Sequence, residues 1–96
     1  MLTGKQRSYL RAQGNKLDPI IHIGKEGISQ AVIGQVEEAL TDHELIKGRV
    51  LKNSLEEARD VANELADKCE ADVVQVIGNV FLIFSRNPEE PIYRLP

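Results

Sequence analysis

Val73 to Ile77 and Val80 to Phe84 are runs rich in β-branched and aromatic residues, separated only by Gly78-Asn79. A two-residue connection between strands closes as a tight hairpin turn, and glycine beside asparagine supplies the positive φ that such turns demand. The two runs are therefore neighbouring antiparallel strands. The second is apolar on both alternating faces, with Val80, Leu82 and Phe84 on one and Phe81 and Ile83 on the other. A strand that needs cover on both sides suits the interior of a sheet better than its edge, although the hairpin alone permits either.

The rest of the chain alternates helix and strand. Thr3 is placed to cap a helix running to about Gln13, with Gly14 as a left-handed terminator. Ile20 to Ile23 reads as a short strand following the break at Leu17-Asp18-Pro19. Ser29 caps a second helix ending near Asp42, whose apolar stripe is Ile28, Val32, Val36 and Leu40 with Ile33 beside them. Leu45 to Leu51 forms a strand that sets Ile46, Gly48 and Val50 on one face and Lys47 and Arg49 on the other. Ser54 and Glu57 have capping-box spacing, and Leu55, Ala58, Ala62, Leu65 and Cys69 predict a third helix to about Glu70. The order is α-β-α-β-α-β-β. Strands one to two and two to three are joined by right-handed parallel crossovers, which put helices two and three on one face if both step the same way. Helix one is then left to cover the other. Residues 87–96, with Pro88, Pro91 and Pro96, read as an extended tail on a single domain of residues 1–96.

A chain of 96 residues, 42% hydrophobic and 28% charged, can bury a core without staples, and its one cysteine has no partner for an intrachain disulfide. No apolar run of the roughly 7–15 residues of a signal peptide follows Met1. The apolar stretch Val80 to Phe84 falls far short of the ~20 residues of a membrane span. A cytoplasmic protein with no membrane partner is the expectation, and Cys69 suits a reducing compartment.

The formal net charge of −3 argues, as a total, against a nucleic-acid partner. Its distribution argues the other way. Residues 1–25 hold Lys5, Arg7, Arg11, Lys16 and Lys25 against Asp18 alone, whereas residues 26–46 hold five acids and no base. Lys47, Arg49 and Lys52 then fall within six residues, and residues 53–72 hold seven acids against Arg59 and Lys68. If helix one, the loop after strand one and strand two converge, one surface carries most of the positive charge, as phosphate binding requires. The loop Gly24-Lys25-Glu26-Gly27 joins a strand end to a helix start, where free N–H groups and the helix dipole favour an anion. Its two glycines let a phosphodiester backbone approach and Lys25 adds a cation, the same logic as the GxxG clamp of KH domains. Glu26 opposes that attraction unless it turns away or pairs with Lys25. The spacing is not that of a nucleotide-binding P-loop.

No catalytic constellation accompanies this loop. His22 and His43 lie in different elements without Cys or carboxylate at ligand spacing, so no metal is expected. Cys69 falls on an apolar stripe, as a small core residue does. Glu37-Glu38 and Glu56-Glu57 are consecutive and diverge around their helices, which excludes an acid and base pair. The aromatics are only Tyr9, Phe81, Phe84 and Tyr93, too few for an RRM-type stacking platform.

Taken together, the Leu-Thr-x-Lys-Gln-Arg opening, Leu17-Asp18-Pro19-Ile20 leading to Ile23-Gly24-Lys25-Glu26-Gly27-Ile28, His43-Glu44-Leu45-Ile46-Lys47, Val74-Gln75-Val76-Ile77-Gly78 and Phe84-Ser85-Arg86-Asn87-Pro88 resemble the CRM domain, named for chloroplast RNA splicing and ribosome maturation. The likeness spans the chain and is closest to the family's stand-alone bacterial form. It implies an α+β fold similar to the C-terminal domain of translation initiation factor 3, a four-stranded mixed sheet in order 1-2-4-3 with helices packed on it. It also implies a non-catalytic, cofactor-free RNA-binding monomer that associates with ribosomal RNA in precursors of the large ribosomal subunit. By position the family's loop is Gly24, Lys25, Glu26 and Gly27, and its basic surface comprises Lys5, Arg7, Arg11 and Lys47, which Lys16 and Arg49 extend. Gly48 departs from the family in a strand position where a bulkier residue is expected, and the overall acidity departs from its more basic members. The alternative is a protein-interaction module that docks on a ribosomal protein or assembly factor through its acidic helices.

Overall fold

The computed structural model describes residues 1–96. Helix α1 (Gly4–Gly14) starts from a closed capping box: Gln6 N–H donates to Thr3 Oγ1 and Thr3 N–H donates to Gln6 Oε1, both at 3.1 Å. Strand β1 (Ile21–Ile23) leads to helix α2 (Gln30–His43), whose first turn is capped by Ser29 Oγ accepting from Val32 N–H at 3.2 Å. Strand β2 (Leu45–Val50), helix α3 (Ala58–Lys68), strand β3 (Asp72–Ile77) and strand β4 (Val80–Phe84) complete the chain.

The sheet order is β1-β2-β4-β3, with β1 parallel to β2 and β4 antiparallel to both of its neighbours. The hairpin pairs Ile77 with Val80 around Gly78, whose φ of 58° is what a type II′ turn needs at its first central residue. The all-apolar strand is thus interior. Its two faces are covered separately: Phe81 and Ile83 join Ile21, Ile23, Ile46 and Val50 beneath α2 and α3, while Leu82 and Phe84 meet Leu10, Leu45 and Val74 beneath α1. Burying each such side chain contributes about 1.5–3 kcal/mol, so the smaller cluster suffices to dock one short helix. Cover by α1 is only partial. It ends over Leu82, and beyond it Val80 and Lys47 are half-buried while His22, Arg49 and Ile77 are exposed on the same face.

Five local expectations are corrected. Ser54 and Glu57 make no capping box: Ser54 N–H closes a turn on Leu51 C=O at 3.0 Å, and its Oγ accepts from Glu56 N–H at 3.2 Å. Helix α3 begins three residues after the turn, where Ala58 first reaches the core, so Leu55 is 98% exposed instead of joining the stripe. The same helix stops at Lys68, because Glu70 takes a left-handed φ of 53° and Ala71 N–H returns to Ala66 C=O at 2.8 Å, a Schellman closure. Gly14 is not a left-handed terminator either; it is the last helical residue, and a Cβ there would come within 2.8 Å of Leu82 Cδ2. Gly48 stands where a bulkier residue is expected because the Phe81 ring fills that space: a Cβ would fall 2.7 Å from Phe81 Cε2.

Candidate nucleic-acid interface

The loop after β1 is a β-turn in which Gly27 N–H donates to Gly24 C=O at 3.0 Å, leaving Lys25 and Glu26 exposed at its corners. Gly27 has φ 66°, a conformation that side chains disfavour and that glycine adopts without strain. Parallel pairing of Ile23 with Val50 and the bond from Leu51 N–H to Ile23 C=O at 2.8 Å set this turn beside the segment that carries Lys52 and Asn53. The two flanks of the loop differ in charge. Toward α3 it shares a shallow recess with Glu56 and Glu64, and Glu56 leans so close that a Cβ on Gly27 would sit 2.8 Å from its Oε2.

Toward the sheet the loop meets cations. Because Ile21 and Ile23 are buried under α2 and α3, His22 projects to the opposite face, where it pairs in register with Arg49. Lys47 lies two residues before Arg49 on that face, bordering a recess with Asn15 and Gln75, and Lys16 approaches the same stretch of β2 from the segment after α1. Lys16, Lys47, Arg49 and Lys25 therefore follow β2 from its start to the glycine loop.

Helix α1 packs across β2 and β3, beside this line of cations. Arg7 Nη1 donates to Val73 C=O at 2.8 Å, so its charge is held at β3, two strand spacings or roughly 10 Å from β2. Arg11 follows one turn later on the same side of α1. Lys5 lies at the end of the sheet away from the loop, beside the turn that carries Gln6, whose Nε2 donates to Pro96 C=O at 3.3 Å.

Charge is partitioned across the sheet. Helix α1 has Lys5, Arg7 and Arg11 and no acid, whereas α2 on the other side has Glu37, Glu38 and Asp42 and neither Lys nor Arg. Burial and the nearby Glu37 raise the Cys69 thiol above its ordinary value, and Cys69 packs half-buried against the main core. No three His, Cys, Asp or Glu side chains gather as metal ligands. No helix is long and apolar enough to cross a membrane.

Sequence reasoning missed Glu44. It is completely buried with φ 63°, and its carboxylate accepts N–H bonds from Asn87 and Ile92 at 2.6 Å and from Tyr93 at 2.9 Å. Burial pushes its carboxyl up, but these three donors and the Arg86 guanidinium outweigh it and hold the group below the usual range. One side chain thereby fastens the C-terminal segment, and Tyr93 and Leu95 pack on the cluster beneath α1. No sequence signal marks a lone glutamate at a helix–strand junction for this role.

Comparison with known proteins gives this geometry a family. The probable RNA-binding protein YqeI of Bacillus subtilis is 41% identical over 96 residues, covering all of both chains. The probable RNA-binding protein MJ0652 of Methanocaldococcus jannaschii is 42% identical over 85 residues, which cover 86% of this chain and 63% of that protein. Among solved structures, the hypothetical protein SAV1595 from Staphylococcus aureus superposes with a TM-score of 0.83 at 40% identity over the full length of both chains. The CRS1 / YhbY (CRM) domain model matches residues 2–85, and with that span, these identities and this sheet order the chain belongs to the CRM domain family.

Proposed function

We propose that the protein is a non-catalytic RNA-binding factor that engages ribosomal RNA in precursors of the large ribosomal subunit and assists its assembly in the cytoplasm. The observation that carries this reading is the line of cations along β2, Lys16, Lys47 and Arg49, on a sheet face that α1 leaves open, with the exposed Lys25 on the glycine loop beyond the end of that strand. Membership of a family whose relatives are named as probable RNA-binding proteins supports it. The loop contributes a tight turn, an exposed lysine and the uncrowded approach of glycine, while the cations of β2 supply phosphate neutralisation over a longer path. Arg7, tied to Val73, holds α1 on the sheet and contributes less to RNA.

Charge reversal at two exposed positions, Lys25→Glu with Arg49→Glu, tests the reading. The variant is expected to melt like the parent yet bind ribosomal RNA at least tenfold more weakly, in line with loss of two phosphate contacts at moderate salt. Co-sedimentation of the variant with large-subunit precursors at the parental level sinks the proposal. The acidic faces of α2 and α3 favour a second reading, docking on a basic ribosomal protein; association that survives nuclease and fails on reversal of Glu37 and Glu38 would select it.

A further inference from the structure

At the start of β2, upstream of the short strand β1, the structure leaves a cleft that the loop-centred surface does not use. Leu17, Ile20, Ile92 and Tyr93 line a cavity of about 410 Å³ floored by Leu45 and Ile46. Ile20 and Ile92 are 45% and 56% exposed, so two large apolar side chains of the lining are accessible to a ligand. The volume is at the small-ligand end of the binding-site range of about 300–1,000 Å³, which fits one flat group and not a docked helix. The rim carries Lys16, Lys47 and His43 against one acid, Asp18, so the chemistry it complements is an apolar plate with negative charge at its edge.

The cleft is also preformed. The N–H groups of Ile92 and Tyr93 donate to the buried Glu44 carboxylate at 2.6 and 2.9 Å, so the wall contributed by the tail is fixed in place. That wall lies beyond residue 85, where the match to the family ends. Lys47 borders both this cleft and the recess on the open sheet face, so a strand that follows the cations of β2 runs directly onto it.

We propose that this cleft receives one unpaired base of the bound RNA, with Lys16 and Lys47 holding the phosphates on either side of it. The inference rests on the RNA-binding reading above and specifies it: the protein prefers single-stranded to fully paired RNA. Amide chemical shifts recorded with the octamers rA8, rC8 and rU8, and with an RNA duplex, test it. The single strands are expected to move the amides of Leu17, Ile20, Ile92 and Tyr93, while the duplex moves only those near Lys25 and Arg49. Ile20→Asp and Ile92→Asp, at exposed positions that leave the core untouched, should each weaken the single strands by about tenfold, the scale of one lost base-stacking contact, and change duplex affinity by less than twofold. Octamers that bind with shifts confined to the glycine loop and β2, or with affinity unchanged in both variants, overturn the cleft and leave RNA binding intact. If neither octamers nor duplex bind, both proposals fall. If the cleft amides move instead on raising the protein concentration without RNA, the occupant is a second copy of the chain and the base proposal is wrong.

Discussion

Glu44 shows how one buried carboxylate can govern ten residues of chain. Its backbone turns through the left-handed region to send the chain from α2 into β2, and its side chain satisfies three N–H groups of the tail. Replacing it by alanine strands those donors or frees the segment that carries them. Glu44→Ala is expected to cost about 2–3 kcal/mol, which for a chain of this size lowers the melting temperature by roughly 10 °C or more in calorimetry. The pH dependence has a definite sign. The folded-state carboxyl titrates below its unfolded value of about 4.3, so its stabilisation is complete above that pH and is lost as pH falls through the folded value. Hydrogen exchange at the Ile92 and Tyr93 amides should therefore accelerate in acid before the sheet amides respond. Cys69 offers a second check on a single residue. Its thiol is raised by burial and by Glu37, so iodoacetamide at neutral pH should label it more slowly than free cysteine; equal rates would refute that environment.

Helix and strand boundaries divide according to how local their causes are. Thr3 with Gln6, Ser29 with Val32 and the Gly78 turn involve partners within three residues, and each was legible in the chain. The start of α3 was not, because Ser54 is spent on the turn from Leu51 and the helix begins where the sheet offers Ala58 a surface to pack on. Gly48 needed the third dimension too: nothing in its neighbours announces that a ring from β4 will cross it. That pair makes a prediction. Gly48→Ala should destabilise by about 2 kcal/mol, within the range for overpacking a filled core, since the Phe81 ring is wedged between β2 and the helices. Adding Phe81→Leu should recover part of that cost, so that chemical denaturation of the four proteins gives a favourable coupling energy. Strictly additive losses would mean that the ring does not depend on the missing Cβ.

At the scale of the whole molecule, the segregation of charge was legible along the chain, but its geometry was not. Alternation within β2 predicted that Lys47 and Arg49 share a face; only the sheet order reveals that this face is the one α1 half covers, and that Arg7 belongs to its far edge. The acids of α2 and α3 lie across the sheet, so the formal charge of −3 is the sum of two surfaces that a bound polyanion experiences very differently. Salt dependence separates them. On single-stranded RNA each neutralised phosphate contributes about 0.7 to the slope of log affinity against log salt. Lys47→Gln with Arg49→Gln, which makes the net charge two units more negative, should reduce the slope by about 1.4. Glu37→Gln with Glu38→Gln shifts the net charge by the same two units in the other direction and should leave the slope unaltered, because those side chains release no counterions from the RNA. Filter binding across a salt series reads both slopes. Were the second pair to steepen the slope as much as the first flattens it, the protein would be responding to its total charge and not to a surface, and the division of the molecule by its sheet would have no bearing on RNA.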